Sequence, residues 1–195
     1  MQASRDAGAT DEQEHVRLLL LRCADGDEAA RDALFEQLYP ALRRLAHARM
    51  RDHGNPSLLQ TTSLVHEAYM RIAGSATRAV NRAQFMAFAA RVMRSVIADT
   101  ARARLAERRG GGAAHLPFDT ARQHRLDDGA GEILRVHEAV LALEAVDARA
   151  ARVVEMRYFA GYDEAEIAGL LGVTERTVQR TWAKARAILA EALHP

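Results

Sequence analysis

The sequence predicts an all-α protein, and three observations carry that expectation. Alanine, leucine and arginine dominate while β-branched residues are sparse and aromatics reach only 5%, a bias toward helix formers and away from strand formers. Apolar residues recur at helical spacing through most of the chain. Asp, Thr, Ser and Gly stand at the ends of those periodic segments, where helices are capped. A length of 195 residues with 49% apolar and 27% charged content suits one compact domain or two small ones and argues against global disorder.

Taken in order, residues 11–24 read as a short helix with Val16, Leu19, Leu20 and Cys23 on one side, stopped near Gly26. Asp27 is a plausible N-cap for a helix to about Arg51, with Ala30, Leu34, Leu38, Leu42 and Leu45 at helical spacing. Pro40 interrupts it and is expected to kink or split it. Asp52–Ser57 is a loop by composition. Thr61, Thr62 and Ser63 offer N-caps for a helix through Ile72, ended near Gly74. On that helix Val65, Ala68, Tyr69 and Ile72 share one face, and Ser63, His66, Glu67 and Met70 share the other. A loop over Gly74–Ala83 leads into a long helix from about Gln84 to Arg108, in which Phe85, Phe88, Ala89, Val92, Met93 and Val96 fall in one apolar arc.

The run Gly110-Gly111-Gly112 breaks that helix, and no periodicity follows until Gly131. A non-periodic stretch of that length is too long for an ordinary connection inside a compact domain, so 110–131 reads as a flexible linker between two helical domains. The second begins near Glu132 with Ile133, Val136, Val140, Leu141 and Leu143. Asp147 caps its next helix, which ends at Gly161; Asp163 and Glu166 form a capping box for another; and Thr174 caps the last.

Cys23 is the sole cysteine, which excludes a disulfide within the chain and fits a reducing compartment, the bland role of a small buried residue being favoured. The first fifteen residues are acidic, the reverse of a signal peptide. No apolar run approaches the roughly 20 residues of a membrane span. A soluble, cytoplasmic protein is expected. An enzyme is disfavoured. His15, His47, His53, His66, His115, His124, His137 and His194 show no zinc-binding spacing, and neither a nucleophile elbow nor a P-loop occurs. No cofactor, metal or small-molecule substrate is expected.

The net charge of +1 hides an uneven distribution. Residues 1–30 carry three basic and seven acidic groups, 75–109 eight and two, 136–172 three and seven, and 173–195 four and two. Two basic segments set apart in an acidic or neutral chain suggest two contacts with a polyanion. Because Lys184 is the only lysine, arginine richness alone means little and its placement carries the weight.

The segment Glu164–Trp182 has the parts of a helix-turn-helix: Ala168 where the helices touch, Gly172 at the turn, and Ile167, Leu171, Val173 and Val178 for burial. In the last helix Val178, Trp182, Ala185 and Leu189 share a side, while Arg176, Arg180 and Lys184 lie opposite. A basic, exposed face early in a helix is what a major-groove reader requires, and Thr177 and Gln179 sit in the same turn. On the long central helix Arg91, Arg94, Arg102 and Arg109 project within about 80° of one another along some 27 Å, at ~1.5 Å per residue. Such a stripe can follow a nucleic-acid backbone. Phe85 and Phe88 could stack an unpaired base, although each taken singly is a better core residue.

In order and spacing, these pieces resemble the small two-domain sigma factors of bacterial RNA polymerase called extracytoplasmic-function sigma factors. The resemblance runs from about Asp25 to Leu193. Its carriers are Leu34–Tyr39, Thr61–Ile72, Asn81–Phe85, Phe88–Arg94, Ala148–Phe159 and the helix-turn-helix. After the acidic N-terminal segment with its short helix (1–26), it implies a first domain (27–109) binding the polymerase clamp coiled coil and the promoter −10 element, a linker (110–131), and a helix-turn-helix domain (132–195) binding the −35 element.

By resemblance, Ser63, His66, Glu67 and Met70 face the polymerase. Glu67 matches the family's Asp-Leu-Val-Gln-Glu pattern, while Ser63 and His66 depart from it. Asn81 and Arg82 match the loop that holds a flipped −10 base, and Phe88 stands where tryptophan is common. With Phe85, Arg91, Arg94 and Arg102 these form the expected −10 surface; Arg176, Thr177, Gln179, Arg180 and Lys184 form the −35 surface. An anti-sigma protein is a possible further partner.

A magnitude agrees with dependence on a large partner. Opening about ten base pairs costs roughly 14 kcal/mol at about 1.4 kcal/mol per step. A captured base returns only about 1–3 kcal/mol. Two alternatives stay open on the residues alone. One is a dimeric helix-turn-helix regulator with a sensing or dimerising first domain; the other is a helical adaptor that touches no DNA.

Overall fold

The computed structural model describes the backbone of residues 3–52, 59–75, 79–110 and 120–193, and side chains over 11–49, 59–75, 79–107 and 129–193. Eight α-helices make up the described chain, and no strand occurs among these residues. They are α1 (Ala3–Ala24), α2 (Glu28–Asp52), α3 (Thr61–Ala73), α4 (Arg82–Gly110), α5 (Thr120–Val146), α6 (Ala148–Val154), α7 (Glu164–Leu171) and α8 (Glu175–Leu193). A π-helical turn, Glu155–Phe159, continues α6.

Local chemistry explains most boundaries. Asp27 Oδ1 accepts from the Ala30 amide at 3.0 Å, and Asp147 Oδ1 from the Ala150 amide at 2.9 Å. Asp163 and Glu166 complete a reciprocal capping box. Asn81 Oδ1 takes the Gln84 amide at 2.9 Å to start α4. Gly172 sits at φ +64°, ψ +36°, the left-handed region that glycine enters without a Cβ penalty.

Four boundaries differ from the sequence expectation. Helix α1 begins at Ala3 rather than near residue 11. Helix α2 runs unbroken through Pro40. Proline removes one donor to the carbonyl four residues back, and both Pro40 and Glu36 are exposed, so water can serve that carbonyl. The N-cap of α3 is Gln60, with no side-chain bond to the helix. The fourth concerns the linker expected over 110–131. Its residues 111–119 lie outside the described ones, but α5 is already helical from Thr120. Its packed part supplies the nucleus, after which each further residue adds a bond, and glycine costs only about 1 kcal/mol inside a helix.

Four helices surround the first part of the core: Leu20 of α1, Leu34, Leu38 and Leu42 of α2, Leu64 of α3, and Phe85 and Met93 of α4, all at most 1% exposed. Phe35 meets Tyr69 edge-on at 4.5 Å and Phe85 at 5.9 Å between ring centroids. The same apolar cluster continues into Ile133, Val140 and Leu143 of α5 and Phe159 of the π turn. Helix α4 is therefore shared, packing α3 on one side and α5 with the π turn on another. A smaller cluster of Val153, Met156, Ile167, Ala168 and Val178 holds α7 and α8 to α6. Cys23 is half-buried against the first cluster, and burial raises its thiol pKa, which suits packing rather than reactivity.

Candidate nucleic-acid and partner interfaces

Helices α7 and α8 are joined by a turn centred on Gly172. Ile167 and Ala168 of α7 and Val178 of α8 are buried in one cluster where the helices meet, while Ala185, farther along α8, is buried in the larger core cluster. Thr174 starts α8, its Oγ1 accepting the Thr177 amide at 3.3 Å. Burial of Val178 and Ala185 turns the other side outward, so Arg176, Gln179, Arg180 and Lys184 are exposed and Thr177 is half-buried.

These five are not equivalent. Gln179 donates to Glu164 Oε2 at 2.6 Å, and the same carboxylate takes Arg157. Lys184 pairs with Asp147 at 2.8 Å, at the far end of the basic row. Arg176 and Arg180 form no ion pair among the described residues, which leaves two free guanidinium groups one turn apart near the start of α8. Trp182 lies on the packed side with Arg157 stacked 5.1 Å over its ring, a core position.

The α4 residues expected at the −10 element are scattered by the fold. Asn81 is the helix cap, and Arg82 is half-buried. Phe85 is fully buried; its stacking role is corrected to a core role, because α2 and α3 present Phe35 and Tyr69 to the same spot. Phe88 is half-buried and lines a cavity of about 480 Å³ shared with Arg91, Glu144, Arg152 and Glu155. Arg91 is exposed yet pairs with Glu144 of α5 at 2.6 Å.

Arg94 departs most from expectation, being only 5% exposed. It binds Glu155 Oε1 through Nε at 3.0 Å and Nη2 at 2.5 Å, and its Nη1 donates to His137 Nδ1 at 2.8 Å. The expectation of an open arginine surface is corrected at Arg94: in this conformation the guanidinium faces protein. Arg102 is exposed and bridges to Asp99 on its own helix at 2.7 Å. The side chain of Arg109 lies outside the described residues.

Burial pushes the Glu155 carboxyl up, against the pull of Arg94. Burial, then the Arg94 charge, pushes the His137 imidazole down. Since arginine is always a donor, His137 Nδ1 must accept, which makes it the neutral Nε2–H tautomer. Sequence reasoning passed over both residues, although a signal existed. Glu155 is the lone acid in Val153-Val154-Glu155-Met156, and His137 sits on the apolar stripe between Ile133 and Val140.

The third surface is the outer face of α3. Leu64, Val65, Ala68 and Ile72 are buried, so Ser63, His66, Glu67 and Met70 are exposed together, Met70 at 56%. Glu67 accepts from Arg71 Nε at 3.2 Å, and Arg71 reaches across to Asp99 of α4 at 2.7 Å. Ser63, His66 and Glu67 edge a shallow groove whose other wall is Val96, Asp99 and Thr100 of α4.

The described residues are helical apart from short connections, and α7, the Gly172 turn and α8 with its exposed basic row form an arrangement compatible with a DNA-binding factor. A family model described as ECF sigma factor matches residues 13–195, and the chain belongs to that family. It is thus a factor of RNA polymerase-associated transcription initiation, in a family of non-enzymatic proteins. The family works with core RNA polymerase, promoter DNA and anti-sigma partners; membership disfavours the stand-alone regulator and the adaptor. No curated protein and no solved structure matches the chain. Among the described residues no helix is long and apolar enough to cross a membrane.

Proposed function

We propose that this chain docks on core polymerase through Ser63, His66, Glu67 and Met70, reads a promoter's −35 element with α8, and takes part in capturing the −10 element through α4 and the segment before it. The factor acts in the cytoplasm. Two domains, 27–109 and 132–195, divide the work, the first serving polymerase and −10, the second −35.

The observation that carries this reading is the pair of unengaged arginines, Arg176 and Arg180, on the outward face of a helix whose inner face is fixed by Val178 and Ala185. Charged groups already bonded to carboxylates must exchange partners before binding DNA; these two need not. Thr177 and Gln179 lie beside them with hydrogen-bonding groups suited to phosphates or base edges. The face on α3 supplies the second requirement, a place for the partner that must hold open DNA.

The test is selection of promoter sequences from a random DNA library by the full chain mixed with bacterial core RNA polymerase. Recovery of a two-element motif only when both proteins are present is the expected result. Recovery of a palindrome by the chain alone would establish the dimeric regulator instead.

A further inference from the structure

We propose that Glu164, at the start of α7, sets which base the recognition helix accepts by holding the Gln179 amide in one orientation, with its carbonyl oxygen left for the DNA. This rests on the reading of α8 as the promoter reader, and it adds a residue that sets the reader's specificity. Arg176, Gln179 and Arg180 are exposed and fall on one face of α8, three and four residues apart. Gln179 Nε2 donates to Glu164 Oε2 at 2.6 Å, a partner 15 residues away in sequence. The other oxygen of that carboxylate, Oε1, accepts from Arg157 Nη1. Arg157 in turn lies 5.1 Å over the ring of Trp182 on the packed side of α8, so the carboxylate is anchored to the helix it steers.

Chemistry fixes the direction of the amide. An ionised carboxylate only accepts hydrogen bonds, and the bonds from Arg157 and then Gln179 hold the Glu164 carboxyl below its ordinary range. Gln179 must therefore turn its nitrogen to Glu164 and its carbonyl oxygen away, and Oε1 forms no hydrogen bond among the described residues. A glutamine free to flip meets either an amino or a keto group on a base edge. Held this way, it meets an amino group with its oxygen: adenine N6 or cytosine N4 in the major groove, and not guanine O6 or thymine O4. The charge of Glu164 alone would repel the phosphates that Arg176 and Arg180 attract. Arg157 offsets it, which leaves orientation as what the acid adds at this surface. Ordering the side chain beforehand also lowers the entropy cost of binding.

Three variants separate orientation from structure. Arg157 is a donor only, so in Glu164→Gln it draws the oxygen of the replacement amide and leaves that amide's nitrogen facing Gln179. Gln179 then accepts with Oε1 and turns Nε2 outward, toward keto bases. Glu164→Ala lets Gln179 face either way, and Gln179→Ala removes the reading group. Glu164 is half-buried and Gln179 exposed, and the capping box of Asp163 and Glu166 still starts α7. Each variant should keep the wild-type helix content, which circular dichroism checks.

The experiment selects sequences from a random DNA library with core RNA polymerase and the full chain, wild type or variant. Wild type should show one position of the upstream element where adenine or cytosine outcompetes guanine or thymine about ten-fold, and the base recovered there tells adenine from cytosine. That preference should vanish in Gln179→Ala, flatten in Glu164→Ala and invert to guanine or thymine in Glu164→Gln. A preference lost in Gln179→Ala but kept in both Glu164 variants overturns the steering by Glu164 and leaves α8 as the reader. Glu164 variants that bind every sequence more weakly, with base preference unchanged, overturn it in the same way. An upstream element in which no position depends on Gln179 overturns the inference while the promoter reading stands. Recovery of no upstream element by wild type overturns the reading of α8 itself.

Discussion

At the scale of single residues, Gly172 and His137 make opposite kinds of demand. Gly172 has no atom near the position a Cβ would take, so replacing it costs backbone strain alone. Gly172→Ala should lower the unfolding free energy by about 1–2 kcal/mol, and Gly172→Asn by less, as urea denaturation of the two variants would reveal. His137 is constrained by its surroundings instead. Burial, Arg94 and Arg102 depress its pKa, and Asp99 and Glu138 oppose them weakly. The unfolded chain therefore binds the proton more readily near the ordinary value of 6.5. The stability that neutral His137 contributes is present above that pH and is lost as pH falls below it. Replacing His137 with Gln, which can still accept from Arg94, should flatten the stability profile between about pH 6.5 and 5. A variant whose profile stays parallel to wild type would mean that His137 does not titrate there.

At the scale of elements, α8 and α3 present faces that differ in how they fail. Arg176→Ala with Arg180→Ala removes the two cations near the start of α8 that form no ion pair among the described residues. Each change should cost about 1–3 kcal/mol if it reads a base, and reduce the salt slope by about one if it neutralises a phosphate. Binding of the polymerase-bound factor to its selected promoter, measured across a salt series, separates the two. Unaltered affinity at every salt concentration would remove α8 from the interface. Glu67→Lys on α3 reverses a charge that is exposed and, among the described residues, bonded only to Arg71, so helicity by circular dichroism should stay at the wild-type level while co-elution with core polymerase weakens. The elements were largely legible beforehand. Asp27, Asp147, Asp163 and Gly172 act within three or four residues of themselves, and the inward Val65, Ala68 and Ile72 follow from one helix's period. The π turn was not: no local pattern marks it, and its first residue, Glu155, is bonded to Arg94 on a distant helix.

At the scale of the whole molecule, one apolar cluster spans both halves through α4, with Phe159 among its largest fully buried side chains. Loss of that ring leaves a void that neighbours on two sides cannot both fill. Phe159→Ala should destabilise the chain by about 3–5 kcal/mol. If the halves unfold as one unit, Trp182 fluorescence and far-ultraviolet circular dichroism will change at the same urea concentration in wild type. Transitions at two different urea concentrations would mean that the halves unfold independently.

By itself the sequence determined most of the helices, the caps at Asp27, Asp147 and Asp163, the turn at Gly172 and which face of α3 and α8 turns outward. Those depend on hydrogen bonds and side-chain neighbours a few residues apart. Tertiary structure alone decided the fate of the α4 arginines. Arg91 meets a partner 53 residues away and Arg94 one 61 residues away. No period along the chain encodes which distant carboxylate will reach a given guanidinium. Phe85 and Arg94 make the point together. Both lie on the helix where local pattern allowed a nucleic-acid role, and both were claimed by the interior, because packing against other helices sets what water and DNA can reach.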